Sequence, residues 1–378
     1  MLKLLAVFAA SLVLAYISQK NTAAITASGR RYSVWNDWAY LLLVTILVLF
    51  AGLRTSYNDT GTYLALFDNA GDLTSFFRDP ENLNPFKNPL FHFLQSCIKS
   101  WTGYGQCLVF VASVFSQACF LRFFKRYAPN FVFSIFLYFT LGTFVFSLAA
   151  MKQVLAMATL TLAFPYLEKR KWLRFYILVF VAMLLHTYAI IFAILPLFRI
   201  RPWGLFTFMI LAVTVFIMTR FESAITAFME QANDLGKTLA DYEVFGDATI
   251  NVFRLAVYAV PPLISLFFSD WVLHKTSDMD NTMIHMGIMS FAFMLLGTQA
   301  GANMFGRMGN YFEFGTLCCL PWMLKKTFNR RSYRLVSGVA CVCFIGFFVY
   351  ANAINGNFGA EYKAITFFEF IENLLASI

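Results

Sequence analysis

Five residues in this chain have types and settings that could do chemistry: Arg54, Asp59, Lys152, His186 and Arg307. Each sits at the edge of an apolar stretch, where an ionisable group costs free energy and therefore points to a task. The first two fall in Ala51-Gly-Leu-Arg54-Thr-Ser-Tyr-Asn-Asp59-Thr-Gly-Thr-Tyr63. An arginine here can grip phosphate with two parallel hydrogen bonds. A nearby aspartate can accept a proton from a hydroxyl. Asn58 and Gly61 predict a tight turn. An interfacial Arg–Asp pair that merely fixes the loop would use the same two residues.

Lys152 opens an apolar run after Ser147-Leu-Ala-Ala-Met. A cation in the first turn of a helix opposes the helix dipole unless an anion is bound there. Snorkelling of the ammonium group to water is the simpler account. His186 closes Phe180-Val-Ala-Met-Leu-Leu-His186, one of four histidines in the chain. It could take a proton or donate to a phosphate or sugar, or be satisfied by backbone. Arg307 lies in Asn303-Met-Phe-Gly306-Arg307-Met-Gly-Asn-Tyr311-Phe312-Glu313. Gly306 and Gly309 would let backbone come close to a ligand. The counter-charge for Arg307 is either Glu313 or a bound diphosphate.

The elements that must position these residues are membrane helices. Apolar residues are 60% of the chain, charged ones 13%, and Phe alone numbers 46, which excludes a pair of soluble domains. Continuous apolar runs of about 15–20 residues recur from end to end, the length a helix needs to cross hydrocarbon. Strand barrels would alternate instead. The expected fold is a single all-α polytopic transmembrane domain over 1–378. Its spans lie near 2–17, 39–53, 106–121, 131–147, 150–167, 172–185, 187–199, 203–219, 251–269, 282–298, 309–325 and 335–351. That makes about 12 helices, plus a short re-entrant or interfacial helix over 88–100 entered at Asn88-Pro89. The first run is read as a retained span rather than a signal peptide.

The net charge of +9 is spread over short loops and does not point to nucleic acid. With these spans, 18 of the 29 Lys and Arg gather on one side with only five acids. That excess marks the cytoplasmic side. The other side receives the loops near 54–88 and 220–250, and with them all five candidate residues. The 220–250 loop is acidic (Glu222, Glu230, Asp234, Asp241, Glu243, Asp247) and would cover the site or simply be solvated. Seven cysteines lack metal-ligand spacing, and no phosphate loop, zinc helix or nucleophile elbow is present. Three cations with a carboxylate and a histidine at headgroup depth outline group transfer from a lipid phosphate.

These motifs resemble those of the EpsG/Wzy-type bacterial polysaccharide polymerases. In that family an arginine after an early span is followed by Gly-x-Asp and Tyr, where Arg54, Asp59 and Tyr63 stand here. A span opening with Arg-Gln corresponds to Lys152-Gln153-Val-Leu-Ala156. A basic loop and a span ending in histidine correspond to Glu168-Lys-Arg-Lys171 and His186. A late Arg with Tyr-Phe corresponds to Arg307 and Tyr311-Phe312. The resemblance covers about residues 40–325. Lys152 departs from the family arginine and loses its bidentate fork. Asn58 replaces a glycine but accepts the same turn conformations.

The resemblance implies a metal-independent, cofactor-free membrane glycosyltransferase of GT-C-like fold. It would join oligosaccharide repeat units carried on undecaprenyl diphosphate, at the outer face of the bacterial inner membrane. Donor and acceptor are both lipid-linked, and a chain-length regulator and a flippase belong to the same pathway. Arg54, Lys152 and Arg307 would stabilise the diphosphate, and Asp59 or His186 would be the base. Tyr63, Gln153, Tyr311 and Glu313 would support them. An O-antigen-type ligase and a non-enzymatic lipid-linked oligosaccharide flippase are the alternatives. The ligase usually carries an outer loop with its own Arg and His, and the flippase an internal symmetry; neither is visible here.

Overall fold

Helices carry most of the described residues, as they must when backbone polar groups in hydrocarbon have to be satisfied within their own segment. The computed structural model describes residues 1–27, 32–220, 250–299, 303–356 and 358–378. The acidic loop near 220–250 therefore lies almost wholly outside the described residues.

The chain begins with α1 (Leu2–Ala27) and α2 (Trp38–Gly52), followed by a short strand β1 (Arg54–Ser56). Next come α3 (Thr60–Asp68), α4 (Leu73–Arg78), α5 (Pro89–Trp101), α6 (Gln106–Tyr127), α7 (Phe131–Thr140), α8 (Thr143–Ser147), α9 (Met151–Thr161), α10 (Phe164–Glu168) and α11 (Trp172–Leu185). A 3-10 helix covers Thr187–Arg199. After it come α12 (Leu205–Thr219), α13 (Val252–Phe267), α14 (Ser269–Val272), α15 (Asp278–Leu296), α16 (Asn303–Asn310), α17 (Glu313–Thr327) and α18 (Arg330–Val349). A tail of α19 (Phe358–Glu361), β2 (Lys363–Ala364) and α20 (Phe367–Ala376) ends the chain.

Among the described residues three helices are long and apolar enough to cross a membrane: Leu2–Ala27, Gln106–Tyr127 and Arg330–Ile354. Six further apolar helices are shorter, at 10–17 residues. Several expected spans are broken where local chemistry interrupts them. The run over 131–147 divides at Gly142, whose φ of 89° only glycine adopts easily. The run over 150–167 divides between α9 and α10, beside Pro165, which has no N–H to continue the helix. The run over 309–325 divides between Asn310 and Glu313. The first helix instead continues to Ala27, carrying Lys20 on its last turns.

The chain packs as two compact units. The first comprises Met1–Pro165, Leu173–Ile190 and Phe348–Ile378. Its centre is α2 against α6. A Cβ on Gly52 would meet Phe110 Cδ2 at 2.8 Å, so glycine is what lets the two helices approach. Ser113 Oγ donates to the Val48 carbonyl at 3.0 Å across the same seam. At the other end of α2, Asp37 caps the helix and is fully buried. Its carboxylate accepts from Ser18 (2.6 Å), Asn21 (3.0 Å) and Tyr32 (2.9 Å) and pairs with Lys125 at 3.5 Å. Lys125 is thus held in a packed network rather than in a solvated basic loop.

The second unit comprises Tyr166–Trp172 and Ile191–Phe347. Its seam is α15 against α17, where a Cβ on Gly315 would meet Met286 Cβ at 2.4 Å and the Met283 carbonyl oxygen at 2.5 Å. His285 is buried there, with Nε2 2.9 Å from Thr207 Oγ1 and Nδ1 3.0 Å from the Phe198 carbonyl. Arg170 and Arg199 form ion pairs with Asp278 at the start of α15.

Breaking a buried ion pair from one side leaves the other charge uncompensated. Asp37→Ala is expected to cost about 3–5 kcal/mol. The double variant Asp37→Asn with Lys125→Met should recover most of it. Thermal unfolding of the purified protein in detergent reads both, and equal unfolding of the single variant and wild type would refute the role given to this pair.

Candidate active site

Arg54 leaves α2 two residues after its end and enters a two-stranded ribbon, because its neighbours are tied from three sides. Gln106, at the first position of α6, donates to the carbonyls of Gly52 (2.7 Å) and Arg54 (2.8 Å). The C-terminal tail adds β2 antiparallel to β1, with Arg54 opposite Ala364. Ile365 N–H donates to the Leu53 carbonyl at 3.0 Å, and Tyr362 Oη to that of Phe50 at 2.6 Å. Tyr362 also stacks on Phe50 at 4.5 Å. The backbone at Arg54 is therefore fixed before the side chain is placed.

Arg54 is 2% exposed. Its Nε donates to Thr60 Oγ1 at 3.1 Å, and Nη1 donates to the Ala51 carbonyl. Both acceptors are neutral, and no carboxylate pairs with it among the described residues. Burial pulls its pKa down to about 10, which leaves it charged at neutral pH. Thr60 donates in turn to the Tyr57 carbonyl at 2.7 Å, closing the turn 57–60. Asn58 sits in that turn at φ 46°, the left-handed conformation the sequence led one to expect. Asp59 is half-buried at the start of α3, and its carboxylate has no hydrogen-bond or ion-pair partner among the described residues. The Arg54–Asp59 salt bridge that would merely fix the loop does not form.

One turn into α3, Tyr63 is buried and faces α9: the Lys152 N–H points at its Oη, 3.5 Å away. Lys152 stands in the first turn of α9, as expected, and its ammonium lies 5.1 Å from the centre of the Phe91 ring on α5. Gln153 is 1% exposed beside it. Phe91 also meets Tyr63 edge-on at 5.8 Å. The start of α5 is anchored in turn to the end of α11. Asn88, at φ 55°, accepts from the Thr187 N–H (3.1 Å) and from its hydroxyl (3.3 Å). His186 is the residue before Thr187 and packs edge-on against Tyr188 at 5.3 Å. Contacts therefore run from Arg54 through Thr60, Tyr63, Lys152, Phe91 and Asn88 to Thr187 beside His186, all within the first unit.

Arg307, Tyr311 and Glu313 belong to the second unit. Arg307 is half-buried on α16. Tyr311 and Glu313 are each 1% exposed. The Glu313 carboxylate accepts from Tyr258 at 2.6 Å, and Arg254 donates to Asn310 at 3.2 Å. Arg254 and Tyr258 were not singled out by the sequence. Gly309 uses its small size against α15, where a Cβ would lie 3.1 Å from the Ser290 carbonyl oxygen.

Three other contributors were missed. Gln106 and the C-terminal tail act on Arg54 only through tertiary contacts, which no local spacing signals. His92 was different: the run Asn88-Pro-Leu-Phe-His92-Phe-Leu-Gln95 puts a histidine and a glutamine three apart on one helix face. Removing Gln106 tests the scaffold. Gln106→Leu strands two backbone carbonyls and should lower stability by about 1–3 kcal/mol. A thermal midpoint equal to wild type in detergent would show that this amide does not hold Arg54 in place.

No curated protein and no solved structure matches the chain. A family model does, the EpsG family, over residues 28–365. The chain belongs to the EpsG family.

Proposed function

We propose that this protein is a membrane glycosyltransferase that polymerises oligosaccharide repeat units carried on undecaprenyl diphosphate, at the outer face of the bacterial inner membrane. Membership of the EpsG family and the apolar helices support a membrane protein of polysaccharide synthesis. The observation that carries the reading to the site is Arg54. A buried guanidinium satisfied by one hydroxyl and one carbonyl keeps most of its charge uncompensated. A phosphate oxygen is the partner such a group lacks.

In the reaction, an acceptor hydroxyl attacks the anomeric carbon of the growing glycan. The bond from that carbon to the diphosphate oxygen breaks, and the electron pair leaves with the lipid diphosphate. Arg54 and Lys152 stabilise the charge that develops on the leaving group, a large contribution when the cations are already in place. Arg307 is assigned phosphate binding in the second unit. Asp59 and His186 are the candidates the sequence offers for the hydroxyl proton, with Tyr63 and Gln153 supporting the first unit and Tyr311 and Glu313 the second. The wider proposal includes about 12 spans in a GT-C-like arrangement and a chain that works with a flippase and a chain-length regulator. It needs no metal.

The test is polymer length on cells deleted for the gene and complemented with variants that reach the membrane in normal amount. Arg54→Ala, Asp59→Asn and Arg307→Ala should each cut polymer about 100-fold or more. A wild-type ladder from Arg54→Ala would remove that residue from the mechanism. With wild-type protein, transfer of a single unit in place of a ladder would make it a ligase.

A further inference from the structure

The first unit holds one more ionisable side chain at the proposed site. His92 lies one turn into α5, on the helix whose Phe91 carries Lys152. It is half-buried. Its Nδ1 is 3.0 Å from Gln95 Oε1. With that oxygen accepting, Nδ1 carries the proton and Nε2 keeps its lone pair. Nε2 has no hydrogen-bond partner among the described residues.

Gln95 is the second, independent observation. It is 1% exposed, and its Nε2 is buried with no hydrogen-bond partner among the described residues. A buried amide donor left unpaired costs about 1–3 kcal/mol, so it marks a place where a ligand atom is missing. Together the pair offers one acceptor, His92 Nε2, and one donor, Gln95 Nε2. That is the complement of a sugar, whose neighbouring hydroxyls both donate and accept.

We infer that His92, oriented by Gln95, takes the proton from the attacking hydroxyl of the acceptor sugar, while Gln95 donates to a second oxygen of the same sugar. The inference rests on the glycosyl-transfer reading above. The hydroxyl oxygen forms the new bond to the anomeric carbon, its proton goes to His92 Nε2, and the electron pair of the broken bond leaves on the diphosphate.

His92 has the chemistry of a general base at this site. An imidazole is near the optimum for a general base at neutral pH. Burial and the charge of Lys152 push the His92 pKa below its usual value, and the Gln95 hydrogen bond only partly offsets them, so the ring is neutral at pH 7. The elements around α5 carry Asp72 and Arg78 on α4, Asp79 and Glu81 in the turn after it, Lys87 just before α5, Tyr63 on α3 and Lys152 on α9, and α5 itself carries Lys99. The charge that acts on the ring is that of Lys152.

The experiment uses full-length protein in membrane vesicles from a deletion host that carry the host's own lipid-linked repeat unit. Binding of undecaprenyl diphosphate to the purified protein is measured in parallel. His92→Ala should lower polymer formation about 100-fold or more. It should bind undecaprenyl diphosphate as wild type does, and added imidazole should restore part of the activity. If His92→Ala fails to accumulate, His92→Gln takes its place without the imidazole arm. Gln95→Glu places a negative charge on Nδ1–H, raises the histidine pKa, and should move the acid limb of the pH–rate profile to higher pH. A purely structural glutamine would not move that limb. Wild-type activity in either His92 variant overturns the inference, and so does loss of undecaprenyl diphosphate binding along with activity. Failure of the glycosyl-transfer reading itself looks different: Arg54→Ala would then leave both binding and polymer unchanged.

Discussion

Taking a guanidinium out of water is costly, and a protein normally repays that cost with a carboxylate. At Arg54 the first unit repays it with a hydroxyl, a backbone carbonyl and nothing anionic among the described residues. Much of the surrounding structure exists to hold that arrangement. Gln106 ties the carbonyls on either side of Leu53, β2 pairs with β1, and Tyr362 reaches back to Phe50. A cation preorganised in this way pays no reorganisation cost when an anion arrives.

The neighbouring groups extend the same logic along the unit. Tyr63 links the Arg54 turn to the start of α9, and Phe91 carries the Lys152 ammonium on its ring face. Asn88 then fastens α5 to the residue after His186. Two apolar runs of this unit are interrupted, at Gly142 and between α9 and α10. Broken helices are tolerated at membrane depth where they line protein or a cavity, and their ends supply the irregular backbone from which functional side chains project.

Part of this was legible in the sequence because its causes are local. Asn58 announced a left-handed turn and adopts one; Pro89 announced a helix start and occupies the first position of α5. Lys152 was placed in a first turn and stands there. Other features were not legible because their causes are tertiary. Lys125 and Asp37 fall among the charges assigned to the cytoplasmic side, and they meet in a buried network across residues 18–125. The polar tail after residue 352 carries no local signal of pairing, yet it supplies the strand that pairs with Arg54. Span boundaries failed at Gly142 and Pro165, where an apolar run continues although the helix does not. The spacing of His92 and Gln95, three apart on one helix, is visible in the sequence, but the helix that carries them is too short to cross a membrane.

The account stands on Arg54 as a receptor for a phosphate anion. Binding of undecaprenyl diphosphate to the purified protein, compared between wild type, Arg54→Lys and Arg54→Met, tests it most directly. The account predicts that Arg54→Met weakens binding at least about tenfold, roughly 1.4 kcal/mol, with Arg54→Lys in between because it keeps the charge and loses the fork. Equal affinity in all three would contradict it.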